Sequence, residues 1–206
     1  TQDKVGIKPK SAIKPPAGLD GNPAFTKQII AKSHPYFRGI SKKDIVAVKR
    51  MFEQQKLKTP YNKKPNFVAK NGGKIYVHTY ADLVDLKENY EIAQKLLKHK
   101  KLNIKIRPHV NNVKTGLGKN GMSNPEFLIN GLVADLKKVE GKKLTQGIKS
   151  AKAQGSKVVV FDIKSELSIK RAIEMLNGDF AMRGNNPFKR IFITKGDEVI
   201  EYKAKK

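Results

Sequence analysis

Pro125–Lys138, PEFLINGLVADLKK, is the stretch whose reading decides the fold. Two β-rich runs, Glu126–Ile129 and Leu132–Lys137, flank Asn130-Gly131. A type I′ turn needs positive φ at both central residues, and Asn-Gly tolerates that with little strain. Counting outward from a two-residue loop pairs Ile129 with Leu132, Leu128 with Val133, Phe127 with Ala134 and Glu126 with Asp135. Two carboxylates then face each other with Cβ atoms roughly 5 Å apart. Side chains alternate along a strand, so Lys137 shares a face with Asp135. Opposed like charges in a sheet repel, and the apolar neighbours Phe127, Leu128, Val133 and Leu136 raise the cost of ionising both. A divalent cation relieves the repulsion, and carboxylates, waters and a substrate phosphate are the oxygen ligands that Mg²⁺ or Mn²⁺ prefers. The pattern predicts Glu126 and Asp135 as metal ligands. Lys137 is then placed to orient a water and to offset charge on a scissile phosphate. The competing reading is a solvated hairpin end in which Asp135 simply pairs with Lys137 or Lys138.

The surroundings read as α/β. Upstream come a strand over Lys74–His78, a helix over Ala81–Lys98 and an alternating strand over Leu102–Arg107. Downstream come a helix over Leu144–Gln154, a buried strand over Lys157–Ile163, a helix over Ser168–Asn177, and a last hairpin, Arg190–Thr194 and Glu198–Tyr202, around Lys195-Gly196-Asp197. From Ala81 to Ile163 the order is α-β-β-β-α-β, which implies a mixed sheet. Residues 1–64 read as a basic arm and linker punctuated by Pro and Gly. Within them Ser41 and Asp44 announce a short helix over 41–55. The compact domain is expected over 65–206.

The 206 residues carry 43 Lys+Arg against 18 Asp+Glu, a formal net charge of +25. The excess is not a tail: residues 1–64 hold 15 basic and 4 acidic side chains, and residues 65–206 hold 28 and 14. Such charge favours an anionic partner, nucleic acid first. The absence of Cys excludes disulfides, thiolate zinc sites and cysteine nucleophiles. No stretch approaches the ~20 consecutive apolar residues of a membrane span, and no small-molecule cofactor is expected. The chain opens on Thr rather than Met and carries no signal-peptide pattern, which reads as a piece of a longer protein.

Further candidates for substrate contact are basic or polar and near the hairpin in sequence. Lys149 and Lys152 lie on the helix after it, and Lys142 and Lys143 sit at that helix's N-terminus. Gln154 precedes the next strand, His109 follows Leu102–Arg107, and Arg183 lies in what reads as a loop, Asp179–Pro187. The four histidines show no metal-ligand spacing, which makes Zn²⁺ a weaker candidate than Mg²⁺ or Mn²⁺. Lys114–Gly121, KTGLGKNG, lacks the Walker pattern and reads as a mobile basic loop that contacts substrate. Tyr61, Phe67, Tyr76 and Tyr80 are too scattered to suggest a base-stacking platform and read as core.

At Pro125-Glu126 and Asp135-Leu136-Lys137 the sequence resembles the PD-(D/E)xK nuclease superfamily, whose fold is restriction-endonuclease-like. A closer likeness is to toxin domains of bacterial polymorphic toxins: the C-terminal nuclease domains of contact-dependent growth inhibition effectors, and related domains fused to phage minor head proteins. The similar stretch runs from about Lys74 to Tyr202 and includes YEIAQKLL, NPEFLINGLVADLKK and IKSAKAQGSKVVVFDI. GLDGNPAF and HPYF look like the junction after a head-morphogenesis domain. The superfamily usually sets another acidic residue on the first core helix. Here the apolar arc Leu83, Leu86, Tyr90, Ala93, Leu96 and Leu97 encloses Asn89, with Asp85 at its edge and Glu88 and Glu91 pointing away. Asp85 or Glu91 would have to serve as the third metal ligand.

The resemblance implies a metal-dependent nuclease toxin from a bacterium or phage, acting on RNA, tRNA or DNA in the cytoplasm of a target cell. Glu126, Asp135 and Lys137 would be its catalytic residues, and an acidic immunity protein its cognate partner. Two alternatives stand beside it: a non-enzymatic nucleic-acid-binding or phage-packaged structural protein, and a metal-independent, barnase-like ribonuclease that uses His109 and basic residues.

Overall fold

The hairpin forms as its turn chemistry requires. Asn130 and Gly131 take φ of 49° and 80°, and the ladder pairs Ile129 with Leu132, Leu128 with Val133 and Phe127 with Ala134. The turn is anchored to the neighbouring strand: Asn130 N–H donates to Asn103 O, and Asn103 N–H donates to Asn130 Oδ1, each at 2.8 Å.

The computed structural model describes residues 41–140 and 144–203. The basic arm over residues 1–40, and Lys142 and Lys143, lie outside them. The helices are α1 (Lys42–Lys58), α2 (Leu86–His99), α3 (Leu144–Ala153) and α4 (Ile169–Arg183). The strands are β1 (Phe67–Val68), β2 (Lys74–Val77), β3 (Asn103–Ile106), β4 (Phe127–Ile129), β5 (Leu132–Val139), β6 (Val158–Ile163), β7 (Arg190–Lys195) and β8 (Glu198–Tyr202). They form one eight-stranded sheet in chain order. The steps β2–β3, β5–β6 and β6–β7 are parallel and the rest antiparallel. A parallel step needs a crossover, and α2, α3 and α4 supply the three. The segment from α2 to β6 has the expected α-β-β-β-α-β order, so the fold is mixed α/β.

Alternation divides the sheet into two faces. One carries Ile75, Ile104, Ile106, Phe127, Ile129, Ala134, Leu136, Val158, Val160 and Phe192 and packs on Ile92, Ala93, Leu96 and Leu97 of α2. The other carries Val139, Val159, Phe161, Ile163, Ile191 and Ile193 and packs on Leu144, Ile148 and Ala151 of α3 and Ala172, Leu176 and Phe180 of α4. Strands β2 and β8 lie six spacings apart, about 29 Å in a flat sheet, against a helix diameter of about 10 Å. Yet the α2 cluster includes both Ile75 and Val199, and Lys100, just after α2, pairs with Glu201 of β8 at 2.6 Å. The sheet therefore curls round α2. Arg190 also grips Glu201 at 2.6 Å, and these two cations hold that carboxyl down at about 2.

Several boundaries differ from the sequence reading. Helix α1 ends at Lys58 rather than near Gln55, where Thr59 closes it by donating its N–H and hydroxyl to Gln55 O. Its buried Glu53 accepts from Asn111 N–H at 2.8 Å. Helix α2 begins at Leu86, not Ala81, because Asp82 Oδ1 captures Val84 N–H at 3.0 Å and keeps the preceding residues in a turn. Helix α4 continues past Asn177 to Arg183, so the first half of the expected Asp179–Pro187 loop is helical. Gly178 meets no neighbour, Asp179 and Phe180 are buried beyond it, and Gly184 at φ 72° supplies the left-handed stop. The Lys114–Gly121 run, read as a basic loop, is tied to itself. Its amides bond within it, and Lys119 N–H donates to Ala153 O at the end of α3.

Gly131 sits at φ 80°, and a Cβ added there would meet open space. Gly131→Ala therefore strains the backbone without a clash. The left-handed conformation costs an L-residue roughly 1–2 kcal/mol. Urea denaturation of the variant is expected to show that loss with an unchanged m-value.

Candidate active site

Extending the ladder register gives one row across the second face: His78, Arg107, Glu126, Asp135 and Val159. The backbone supports the extension, because Arg107 N–H donates to Glu126 O at 2.8 Å and His78 N–H to Ile106 O at 3.1 Å. Glu126 and Asp135 therefore stand opposite each other as the hairpin count requires, close enough for Asp135 to act on the Glu126 carboxyl. Asp135 is fully buried.

Each member of the pair is held. Glu126 Oε2 accepts from Leu136 N–H at 2.8 Å. Lys137 Nζ lies 2.7 Å from Asp135 Oδ2. The Gln154 amide takes the orientation in which its nitrogen donates to Asp135 Oδ1 (2.8 Å) and Oδ2 (2.9 Å) and its oxygen accepts from Lys137 Nζ at 3.3 Å. Gln154 thus clamps the acid and the lysine together. It is delivered there by α3, which lies close on the sheet at Gly147. A Cβ on Gly147 would meet the Phe161 ring at 3.0 Å and Lys137 Cβ at 3.5 Å.

The electrostatics follow from the crowding. Burial, then the hydrogen bond and charge of Asp135, push the Glu126 carboxyl up from 4.5 to about 8, against the downward pull of Leu136 N–H. Arg107 is the nearby counter-charge. Its Nη1 donates to Pro125 O at 2.7 Å, and burial lowers its pKa while Tyr61 and Glu126 act to raise it. Tyr61 is pushed up to about 12 by burial.

Other sequence-predicted residues lie elsewhere. Asp85 and Glu91 are exposed on or beside α2, and Asn89 is buried there. Glu88 does not point away from the sheet. It reaches Lys138 of β5 at 2.5 Å and Lys164 at 3.6 Å, and Lys164 in turn pairs with buried Asp162 at 2.6 Å. This network sits on the α2 face, opposite to Asp135. Among the described residues no group of three or more His, Asp or Glu could hold a metal, so the carboxylate donors gathered here are Glu126 and Asp135. Lys149 and Lys152 are exposed on α3. His109 stands 3.9 Å from Asp82. Arg183 is committed to Asp179 through Nε (2.6 Å) and Nη2 (3.1 Å). Buried His78 bonds Thr59 O at 2.8 Å and accepts from Tyr80 N–H at 3.1 Å, so it fastens the end of α1 to the sheet. Sequence reasoning misses Arg107, although the alternation of Asn103, Lys105 and Arg107 in LNIKIR sets all three on one face.

Fold and site define a mixed α/β domain with a paired-carboxylate and lysine centre on a basic chain. Residues 123–200, from just before β4 into β8, match the family model described as the contact-dependent growth inhibition CdiA C-terminal domain. The matched stretch spans the hairpin, Lys137 and Gln154. No curated protein and no solved structure matches the chain significantly. Among the described residues no helix is long and apolar enough to cross a membrane.

An acid whose folded pKa is raised keeps its proton while the unfolded chain loses it. For Glu126 that makes stability fall as pH rises from about 4.5 to about 8 and levels off above. Glu126→Gln keeps the shape and removes the ionisation. Its melting temperature in EDTA is expected to match wild type at pH 5 and to exceed it by about 3 °C or more at pH 8.5. Parallel melting curves across that range would contradict the buried pair.

Proposed function

We propose that this domain is a nuclease toxin that hydrolyses phosphodiester bonds in nucleic acid with a divalent metal, Mg²⁺ or Mn²⁺. The observation that carries the reading is the facing pair Glu126 and Asp135 with Lys137 on Asp135 Oδ2 at 2.7 Å. The donor set suits such an ion: two hard carboxylate oxygen groups, held in mutual repulsion that a cation relieves. When bound there, the ion would supply charge neutralisation at the phosphate and a more acidic water. Glu126 and Asp135 would hold it, and Glu126 would give up its raised proton to do so. Lys137, released from Asp135, would offset the negative charge that develops on the phosphate, with Gln154 keeping its ammonium in place. Arg107 would balance the row beside Glu126. The net charge of +25 would gather the substrate and make binding fall steeply with salt.

The family match supports delivery into a target cell and neutralisation by a cognate immunity protein; the net charge of +25 favours an acidic one, and the proposed site of action is the target cell's cytoplasm. One observation favours a second reading. Both Asp135 oxygens are already bonded by Lys137 and Gln154, and Glu126 carries a raised pKa. Those groups alone would offer a proton donor and a cation to a metal-independent cleavage.

Incubation with plasmid DNA and total tRNA, with Mg²⁺, with Mn²⁺ and with EDTA, separates the readings. The metal reading expects cleavage of one substrate, its loss in EDTA, and a drop of at least about a hundredfold for Asp135→Asn and Lys137→Met. Undiminished cleavage in EDTA sustains the metal-independent reading, and cleavage of neither substrate under any metal overturns both.

A further inference from the structure

One row along from the site, on the same face, the register aligns Tyr76 of β2, Lys105 of β3, Leu128 of β4 and Val133 of β5. Rows on one face are two residues apart, about 7 Å, so this row runs beside His78, Arg107, Glu126 and Asp135. All four of its side chains are half-buried. Leu128 and Val133 pack into neither of the two core clusters. Lys105 forms no ion pair with a carboxylate among the described residues. Its Nζ instead stands 5.0 Å from the Tyr61 ring centre and 5.9 Å from that of Tyr76. On this face α3 and α4 pack over residues of β5, β6 and β7, whereas this mostly apolar row, with one cation unmatched by an acid, runs across β2 to β5 beside Tyr61.

We infer that Tyr76, Lys105, Leu128 and Val133 form a docking strip for a single-stranded nucleic-acid segment that leads into the Glu126–Asp135 site. The inference rests on the nuclease reading and narrows its substrate class. Flat aromatic and branched side chains gain by contact with base faces, and only unpaired, unstacked bases expose those faces. A duplex offers this row phosphates alone, for which one lysine among three apolar side chains is a poor match. The anionic backbone that accompanies the bases is met by Lys105 and by Arg107 in the next row. The substrate class is therefore single-stranded nucleic acid or the unpaired loop of a folded RNA.

The test is fluorescence anisotropy in EDTA with the full chain, using a short cleavage-resistant phosphorothioate single strand and the duplex of equal length. Tyr76→Ala and Lys105→Ala are each expected to weaken single-strand binding about tenfold, with less than about a twofold change for the duplex and with Tyr76→Phe close to wild type. Leu128→Gln supplies the same reading should Tyr76→Ala melt early by circular dichroism. Equal losses for both nucleic acids, or none for either, overturn the strip. Competition by poly-glutamate as strong as that by the single strand would assign the strip to an acidic protein and also overturn it. Cleavage that still depends on Asp135 while the strip variants bind normally would leave the nuclease reading standing without the strip.

Discussion

A two-residue turn holds two carboxylates face to face. With Asn130 and Gly131 both in the left-handed region, the β4–β5 ladder admits one register, and that register sets Glu126 opposite Asp135. A slip of one residue would turn Asp135 and Lys137 into the α2 core and bring Ala134 and Leu136 out of it. The hydrophobic pattern and the site are thus fixed by the same turn. The cost is two like charges brought together, one of them wholly out of water. The surrounding groups offset it: Lys137 and the Gln154 amide on Asp135, Leu136 N–H on Glu126, and a proton on Glu126.

The rest of the fold serves that arrangement. Strand β6 pairs along β5 from Ala134 to Val139, α3 closes on it at Gly147, and the chain leaving α3 carries Gln154 back to Asp135. The Lys114–Gly121 loop caps the end of the same helix through Ala153 O. On the opposite face α2 supplies the core and the Glu88–Lys138–Lys164–Asp162 ion-pair network. Both faces carry a hydrophobic core, one under α2 and one under α3 and α4, and the Glu126–Asp135 pair lies on the α3 side. Among the described residues most lysines are exposed, whereas four carboxylates, Glu53, Asp135, Asp162 and Asp179, are buried.

Much of this is legible in the sequence, and the limits have physical causes. Asn-Gly between alternating runs specifies the hairpin, its register and the shared face of Glu126, Asp135 and Lys137. Element order follows from periodicity. Helix ends do not, because Asp82 diverts a backbone N–H into a local turn and Gly178 is tolerated where nothing touches it. An ideal wheel begun at Ala81 misplaces Glu88, because it ignores the partners, Lys138 and Lys164, that draw the side chain toward the sheet. Arg107, Tyr76 and Lys105 are not recognisable as neighbours of the site in the linear sequence. Their alignment depends on the β2–β3 and β3–β4 registers, which join residues far apart in the chain. Arg183, a candidate substrate contact in the sequence, is held by the Asp179 carboxylate in a bidentate pair that only the folded helix reveals.

As proposed, Glu126 and Asp135 would form one cation site, with a proton relieving their repulsion in the absence of metal. Calorimetric titration of the protein with Mn²⁺ at pH 7, in two buffers of different ionisation enthalpy, tests it most directly. A single site, proton release from Glu126 on binding, and loss of both in Asp135→Ala are expected. Binding that persists unchanged in Asp135→Ala, or the absence of any binding in the wild-type chain, would contradict it.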